Sequence, residues 1–336
     1  MGVTIKDVAQ RAGVTDTTVS LAFQPDSRVS ERTRARVLAI AQDLGYVPNA
    51  LARQLRGGNS RIPTLGLLVN DIANPFYGLI VRAAEHAALQ FGCQVMVGDT
   101  QWNPEREVAV IHGMVEAHVD GVLACFSERT LESRALLERF DVPYLAIDSC
   151  PADYSGPYVI NDLVVTGTCA AEHLLDAGYR RPAFFTAEAE MAGFSAFQVM
   201  QQAFQQTLAA RGVTHVPVVI AGQTIANGAQ AYETLLATHP EVDAVVCINT
   251  LCALGVMETA DRHGIRIGQD VGVLGVDDLY ICGLSRIGLS AIRQPYEQLA
   301  ETAMQLLIHH MRDKTALTEQ LTLPPTLVAR QSTCRE

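Results

Sequence analysis

Long apolar runs, paired cysteines and recognisable catalytic signatures are all missing from this chain of 336 residues. No stretch approaches the ~18 consecutive apolar residues that a spanning helix needs, which argues against a membrane partner. The opening MGVTIKDVAQ carries charges at Lys6 and Asp7 and no apolar centre, so it does not read as a secretory signal. Eight cysteines (Cys93, Cys125, Cys150, Cys169, Cys247, Cys252, Cys282 and Cys334) are scattered without a CxxC pair, mostly in apolar segments. That usage fits free, buried thiols in a reducing cytoplasm rather than a disulfide framework. Nine histidines supply no HExxH or HxxxH spacing, so no metal site is expected. With no GxSxG elbow, no phosphate-loop lysine and no GxGxxG, neither an enzyme nor a bound cofactor is expected.

What is present is ample apolar material, 49% hydrophobic with 25 Gly and 14 Pro, enough for two or three globular units. The net charge of -11 is spread unevenly. Residues 1–61 hold nine basic groups against five acidic ones, whereas the other 275 hold 16 against 31. A basic head on an acidic body points to a polyanion partner for the head alone.

The head reads as a helix-turn-helix. In TIKDVAQRA, Thr4 can cap a helix, with Asp7 three residues on, and Ile5, Val8, Ala9 and Ala12 share one face. Gly13 permits a tight turn. Thr15 then caps TDTTVSLAF, whose inward residues are Val19, Ala22 and Phe23. A third helix runs from Ser30 through Val37, Ile40 and Ala41 to Gly45. The outward face of the second helix would read DNA: Asp16, Thr17 and Leu21 suit base edges, and Thr18 and Ser20 suit phosphate oxygens. Asp16 could accept from a cytosine amino group or simply cap the helix. The next segment, YVPNALARQLRGG, has too little core to be stable alone and carries Leu55, suited to wedging into a minor groove.

The runs TIKDVAQRAGVTDTTVSLAF and RVSERTRARVLAIAQDLGYVPNALARQLRGG resemble the LacI/GalR family of bacterial transcription regulators, and the likeness continues across essentially the whole chain. The resemblance implies that Thr4, Asp16, Thr17, Thr18, Ser20 and Leu21 meet a palindromic operator in double-stranded DNA. It implies that Asn49, Ala52 and Arg53 lie along the minor groove, and that Leu55 opens the central base step. Two chains are then needed, so a homodimer is expected. No leucine heptad tail follows, so the tetramer-forming helix of some relatives is not expected.

From Ile62 onward, short apolar runs (TLGLLVN, CQVMVGD, DGVLAC, PYLAI, AFFTA, DAVVCI, VGVLGV) alternate with helical segments at 75–91, 104–117, 162–177, 194–211, 225–239, 250–263 and 295–313. Buried strands separated by helices signal parallel sheets covered on both faces. There are too many units for one sheet, so the α/β body is expected as two doubly wound lobes, similar to a periplasmic sugar-binding fold. The expected organisation is a helix-turn-helix head at 1–46, a hinge helix and linker at 47–61, and an effector-binding and dimerisation body at 62–330. Its lobes would span about 62–159 and 160–289, with later segments completing both.

A small-molecule effector, a carbohydrate or related metabolite, is expected between the lobes, outside the carboxyl ends of the strands. Asp148, Asn249 and Asp277 each end an apolar run and could bond such a ligand or cap the following helix. Tyr77 falls where the family places ligand-contacting side chains. The stretch MQQAFQQTLAARG puts Met200 where relatives carry a ligand-binding arginine, and Thr250 follows Asn249 where they carry aspartate. Losing a planar five-donor group removes a strong anchor for sugar hydroxyls. Trp102 could rim the cleft or pack within its loop. The expected function is a ligand-responsive regulator, most simply a repressor; the alternative is a cytoplasmic solute-binding or enzymatic module with a vestigial head.

Overall fold

The computed structural model describes residues 3–23, 27–46, 62–127, 131–187 and 195–335. Contacts divide the chain into two compact units, Met1–Pro63 and Thr64–Glu336.

In the first unit, α1 (Ile5–Ala12), α2 (Asp16–Ala22) and α3 (Glu31–Leu44) enclose a small core in which Val8, Val19, Ala22 and Val37 are fully buried. Local chemistry sets the helix ends. The Thr4 amide and hydroxyl both donate to Asp7 Oδ2 over 2.7 Å, closing the start of α1. Gly13, at φ 62°, takes the left-handed conformation that ends it. Thr15 accepts from the Thr18 amide over 3.2 Å and Ser30 from the Thr33 amide over 3.3 Å, capping α2 and α3.

The second unit holds two six-stranded sheets among the described residues. One is built from β1 (Thr64–Val69), β2 (Gln94–Asp99), β3 (Gly121–Ala124), β4 (Tyr144–Asp148), β5 (Tyr158–Asn161) and β11 (Gln320–Leu323). Its order is β11-β5-β4-β3-β1-β2 and every pairing is parallel. The other contains β6 (Pro182–Thr186), β7 (Val218–Ile220), β8 (Ala244–Cys247), β9 (Gly272–Val276), β10 (Ser290–Arg293) and β12 (Thr326–Val328). Its order is β12-β10-β9-β8-β6-β7, parallel except where β12 runs against β10. Central strands β3, β8 and β9 are buried at every residue, as continuous apolar runs between helical layers should be.

Helices α4 (Pro75–Gln90), α5 (Pro104–Glu116), α6 (Leu131–Arg139) and α11 (Tyr296–Asp313) belong to the first lobe. Helices α7 (Leu163–Asp176), α8 (Ser195–Ala210), α9 (Ile225–Thr238) and α10 (Thr250–Arg262) belong to the second. The chain therefore passes between the lobes three times, after β5, after β10 and after β11. The expected fold class is the one observed. Helix α6 and strands β5, β7, β10, β11 and β12 were not among the elements that the apolar pattern indicated.

All eight cysteines are free, five of them buried and Cys334 exposed. No helix among the described residues is long and apolar enough to cross a membrane.

Candidate functional site

Two sites can be built, one in each unit. On the head, the buried positions of α2 are Val19 and Ala22. Thr17 stands exposed, while Asp16, Thr18, Ser20 and Leu21 are half-buried. Thr15 takes the cap, so Asp16 is left in the first turn, where a carboxylate favours the positive end of the helix dipole. The Thr18 hydroxyl lies 2.9 Å from that of Thr15. Thr4 is exposed, with its hydroxyl committed to Asp7. Lys6, Arg11, Arg28, Arg32 and Arg36 are exposed on the same unit and supply the positive charge that a phosphate backbone attracts. Asn49, Ala52, Arg53 and Leu55 lie outside the described residues.

In the second unit, the carboxyl ends of both sheets border one cleft that encloses about 590 Å³ of empty space, open mouth included. The first lobe contributes Tyr77 from α4, Trp102 from the loop before α5, and Asp148 from the end of β4. The second contributes Met200 from α8, Asn249 from the end of β8, and Asp277 from the end of β9. All five residues singled out as ligand candidates thus meet in one place, and Trp102 rims it. The Tyr77 and Trp102 rings lie 6.4 Å apart, and Phe197 continues the aromatic wall 5.8 Å beyond Trp102.

Neighbouring helices fix the far wall. At Gly167 of α7 an added Cβ would overlap the Met200 carbonyl, so only glycine lets α7 and α8 approach this closely. That approach sets Met200, 3% exposed, against the cleft. Asn249 has a double role: its Oδ1 accepts from the Cys252 amide over 2.8 Å to cap α10, and its Nδ2 donates to the Gln223 carbonyl over 3.0 Å. Thr250 does not border the cleft. It is fully buried and donates to the Val276 carbonyl over 2.8 Å, tying α10 to β9.

Electrostatics in the cleft are one-sided. Burial pushes Asp148 up to about 7, against hydrogen bonds from Asn161 and Tyr77 that hold it down. Burial, and then the charge of Asp148, pushes Asp277 well above the usual carboxylate range. Burial likewise raises the Tyr77 phenol, with Asp148 adding to it. No Lys, Arg or His borders the cleft among the described residues.

The backbone around it is strained. Trp102, Asp148 and Asp277 have φ of 58°, 71° and 82°, and Asp278 follows at 52°. Such conformations cost on the order of 1–3 kcal/mol each and gather at functional sites. The Asp277–Asp278 segment is braced by the Asp278 carboxylate, which takes Arg293 at 2.7 Å and Arg330 at 2.6 Å.

Sequence reasoning passed over Asn161, Phe197 and Gln294, all of which border the cleft. Phe197 precedes Met200 by one helical turn, so that spacing alone could have placed it on the same face. Asn161 and Gln294 end strands that the apolar pattern did not reveal. One group of three side chains able to hold a cation occurs among the described residues: His215, His239 and Glu241, with ligand atoms within 4.8 Å of one another. None of the three borders the cleft.

Residues 4–49 match the family model for bacterial regulatory proteins of the lacI family, and residues 171–333 match that for a periplasmic binding protein-like domain. The ribose operon repressor of Escherichia coli strain K12 is 29% identical over 333 residues, covering 98% of this chain and 99% of that protein. Catabolite control protein A of Priestia megaterium is 29% identical over 335 residues, covering 99% and 100%. The repressor PurR of Photobacterium profundum is 28% identical over 332 residues, covering 98% of each. Among solved structures, the lac repressor dimer bound to operator and the anti-inducer ONPF superposes with a TM-score of 0.85 at 25% identity, over 99% of this chain and 100% of that one. With its head matching one model, its body matching the other, and full-length relatives of the same two-part design, the chain belongs to the LacI family of bacterial regulatory proteins.

Proposed function

We propose that the protein is a transcriptional repressor that binds a palindromic operator as a homodimer and responds to a small molecule held in the inter-lobe cleft. The observation that carries this reading is the pairing, in one chain, of a lacI-type head with a two-lobed body whose five candidate ligand residues meet in one cavity. In this reading residues 1–46 read DNA, 47–61 link, and 62–330 bind effector and pair the subunits. Thr17 and Leu21 address base edges, Asp16 addresses a cytosine amino group, and Thr4, Thr18 and Ser20 address phosphates. Asn49, Ala52, Arg53 and Leu55 complete the set along the minor groove. Phosphate contacts supply much of the affinity, so binding falls steeply with salt.

Regulation is a population shift. A ligand that touches both lobes favours one lobe arrangement over another, and operator affinity follows that balance. A coupling of about 1–3 kcal/mol gives a 5–150-fold change. Selection of the purified protein against random double-stranded DNA tests the reading. An enriched palindrome with a fixed centre is the expected result; the absence of any enriched sequence would overturn it. A solute carrier or enzyme with an idle head is the competing reading, and no His, Lys or Cys borders the cleft among the described residues to act as base or nucleophile.

A further inference from the structure

We infer that the ligand of the cleft is a small organic cation carrying a primary ammonium group, recognised jointly by Asp148 and Asp277. This step rests on reading the cleft as a ligand site and adds the charge of what enters it.

Hydrogen-bonding capacity is out of balance. Asp148 from one lobe and Asp277 from the other offer carboxylate oxygens to the same cavity. Asp277 has no side-chain hydrogen bond among the described residues. Two neutral acceptors join them. Asn161 Oδ1 and Gln294 Oε1 are buried without any donor, in residues only 3% and 4% exposed that border the same cavity. Both stand where the chain crosses between lobes, Asn161 at the end of β5 and Gln294 just after β10. Leaving a buried acceptor unpaired costs about 1–3 kcal/mol, so four acceptor groups facing one space call for a donor-rich occupant.

Charge separates an ammonium from a neutral polyol. A sugar hydroxyl can satisfy an acceptor, but only a positive charge offsets the cost of ionising Asp148 and Asp277, which burial otherwise holds toward their protonated forms. Relatives with an arginine at position 200 would balance the pair internally; Met200 cannot. An ammonium group has three donors, no acceptor and the missing positive charge. Tyr77, Trp102 and Phe197 add aromatic faces beside it, which attract a desolvated cation.

Trp102 is the sole tryptophan of the chain and rims the cleft, so its fluorescence reports binding there. The full-length protein is titrated at neutral pH with galactosamine, glucosamine and putrescine, and with galactose, glucose and 1,4-butanediol as neutral counterparts. The expected result is that at least one ammonium probe shifts the Trp102 signal and binds at least about tenfold more tightly than its counterpart. Asp277→Asn, close to isosteric, and Asp148→Asn should each weaken that binding at least about tenfold while the thermal transition is retained. A neutral probe that binds as well, an ammonium probe indifferent to both substitutions, or silence from every ammonium probe would overturn the inference. The regulatory reading fails separately: an ammonium probe that moves Trp102 but leaves affinity for the selected operator unchanged would sink that reading and spare the charge assignment.

Discussion

The Asn161 side-chain amide donates to Asp148 Oδ1 over 2.6 Å, so the residue at which the chain leaves the first lobe holds the carboxylate that ends β4. Replacing this donor removes one of the two hydrogen bonds that keep Asp148 from rising further. In Asn161→Ala the Asp148 titration midpoint should move above about 7, as read by carboxyl-carbon NMR. An unchanged midpoint would mean that the bond contributes little.

Stability should depend on pH in the direction opposite to that of a salt-bridged acid. Asp148 titrates at about 7 in the fold against 3.8 for the ordinary group, so the folded protein keeps a proton that the unfolded chain releases. The Asp148 contribution therefore falls as pH rises from about 4 to about 7 and is level above that. Asp277 is displaced in the same direction and adds to the effect. The Asp148 contribution alone corresponds to about 4 kcal/mol at most. Denaturant unfolding followed through Trp102 should show this loss, and Asp148→Asn should flatten it. A wild-type curve parallel to that of Asp148→Asn between pH 4 and 7 would contradict the assignment.

Neighbouring threonines on the head should separate cleanly. Thr15 caps α2, so Thr15→Ala should cost the head about 1 kcal/mol in thermal unfolding. Thr17 is exposed, so Thr17→Ala should leave stability unchanged and reduce discrimination between operator bases by about 1–3 kcal/mol in band-shift titrations. The reverse pattern would disqualify α2 as the reading face.

Leu55→Ala should abolish specific operator binding while the circular dichroism spectrum and thermal transition of the protein stay as they were. Undiminished affinity in a band-shift series would refute the minor-groove role of this leucine.

Met200→Arg sets a guanidinium against a cleft that holds two carboxylates and no cation among the described residues. Ammonium probes should then lose affinity, and galactose or ribose should gain it, because the charge is balanced before any ligand arrives. Calorimetry with those neutral sugars that stays silent in the variant would count against the role given to position 200.

The long buried strands and the amphipathic helices were legible because each carries its own local pattern, as in TLGLLV of β1 or VGVLGV through β9. Strands β5, β7 and β12 were not, since they are short and part-exposed and lack the continuously buried run of β3 or β8. Strand β5 lies between β4 and β11, the latter some 160 positions away in the chain. The same asymmetry runs through the cleft. Asp148, Asn249 and Asp277 could be found as polar residues ending apolar runs, whereas Asn161 and Gln294 follow the short sequences YVI and SAIR, which hold no long apolar run. At Asn249 the cap reading describes Oδ1, which caps α10, while Nδ2 turns to the Gln223 carbonyl at the cleft. Thr250, which stands where the resemblance implies an aspartate, serves to fasten α10 to β9.

Because the polypeptide is threaded through both lobes three times, neither lobe is a contiguous piece of the gene. Recombining this protein with a relative at a single junction after Asn161 would leave α11 and β11 from one parent completing the first lobe of the other. A chimera that moves 296–323 together with 64–161 preserves both cores, so the inheritable module here is spatial, and such an exchange between relatives needs four coordinated breakpoints rather than one.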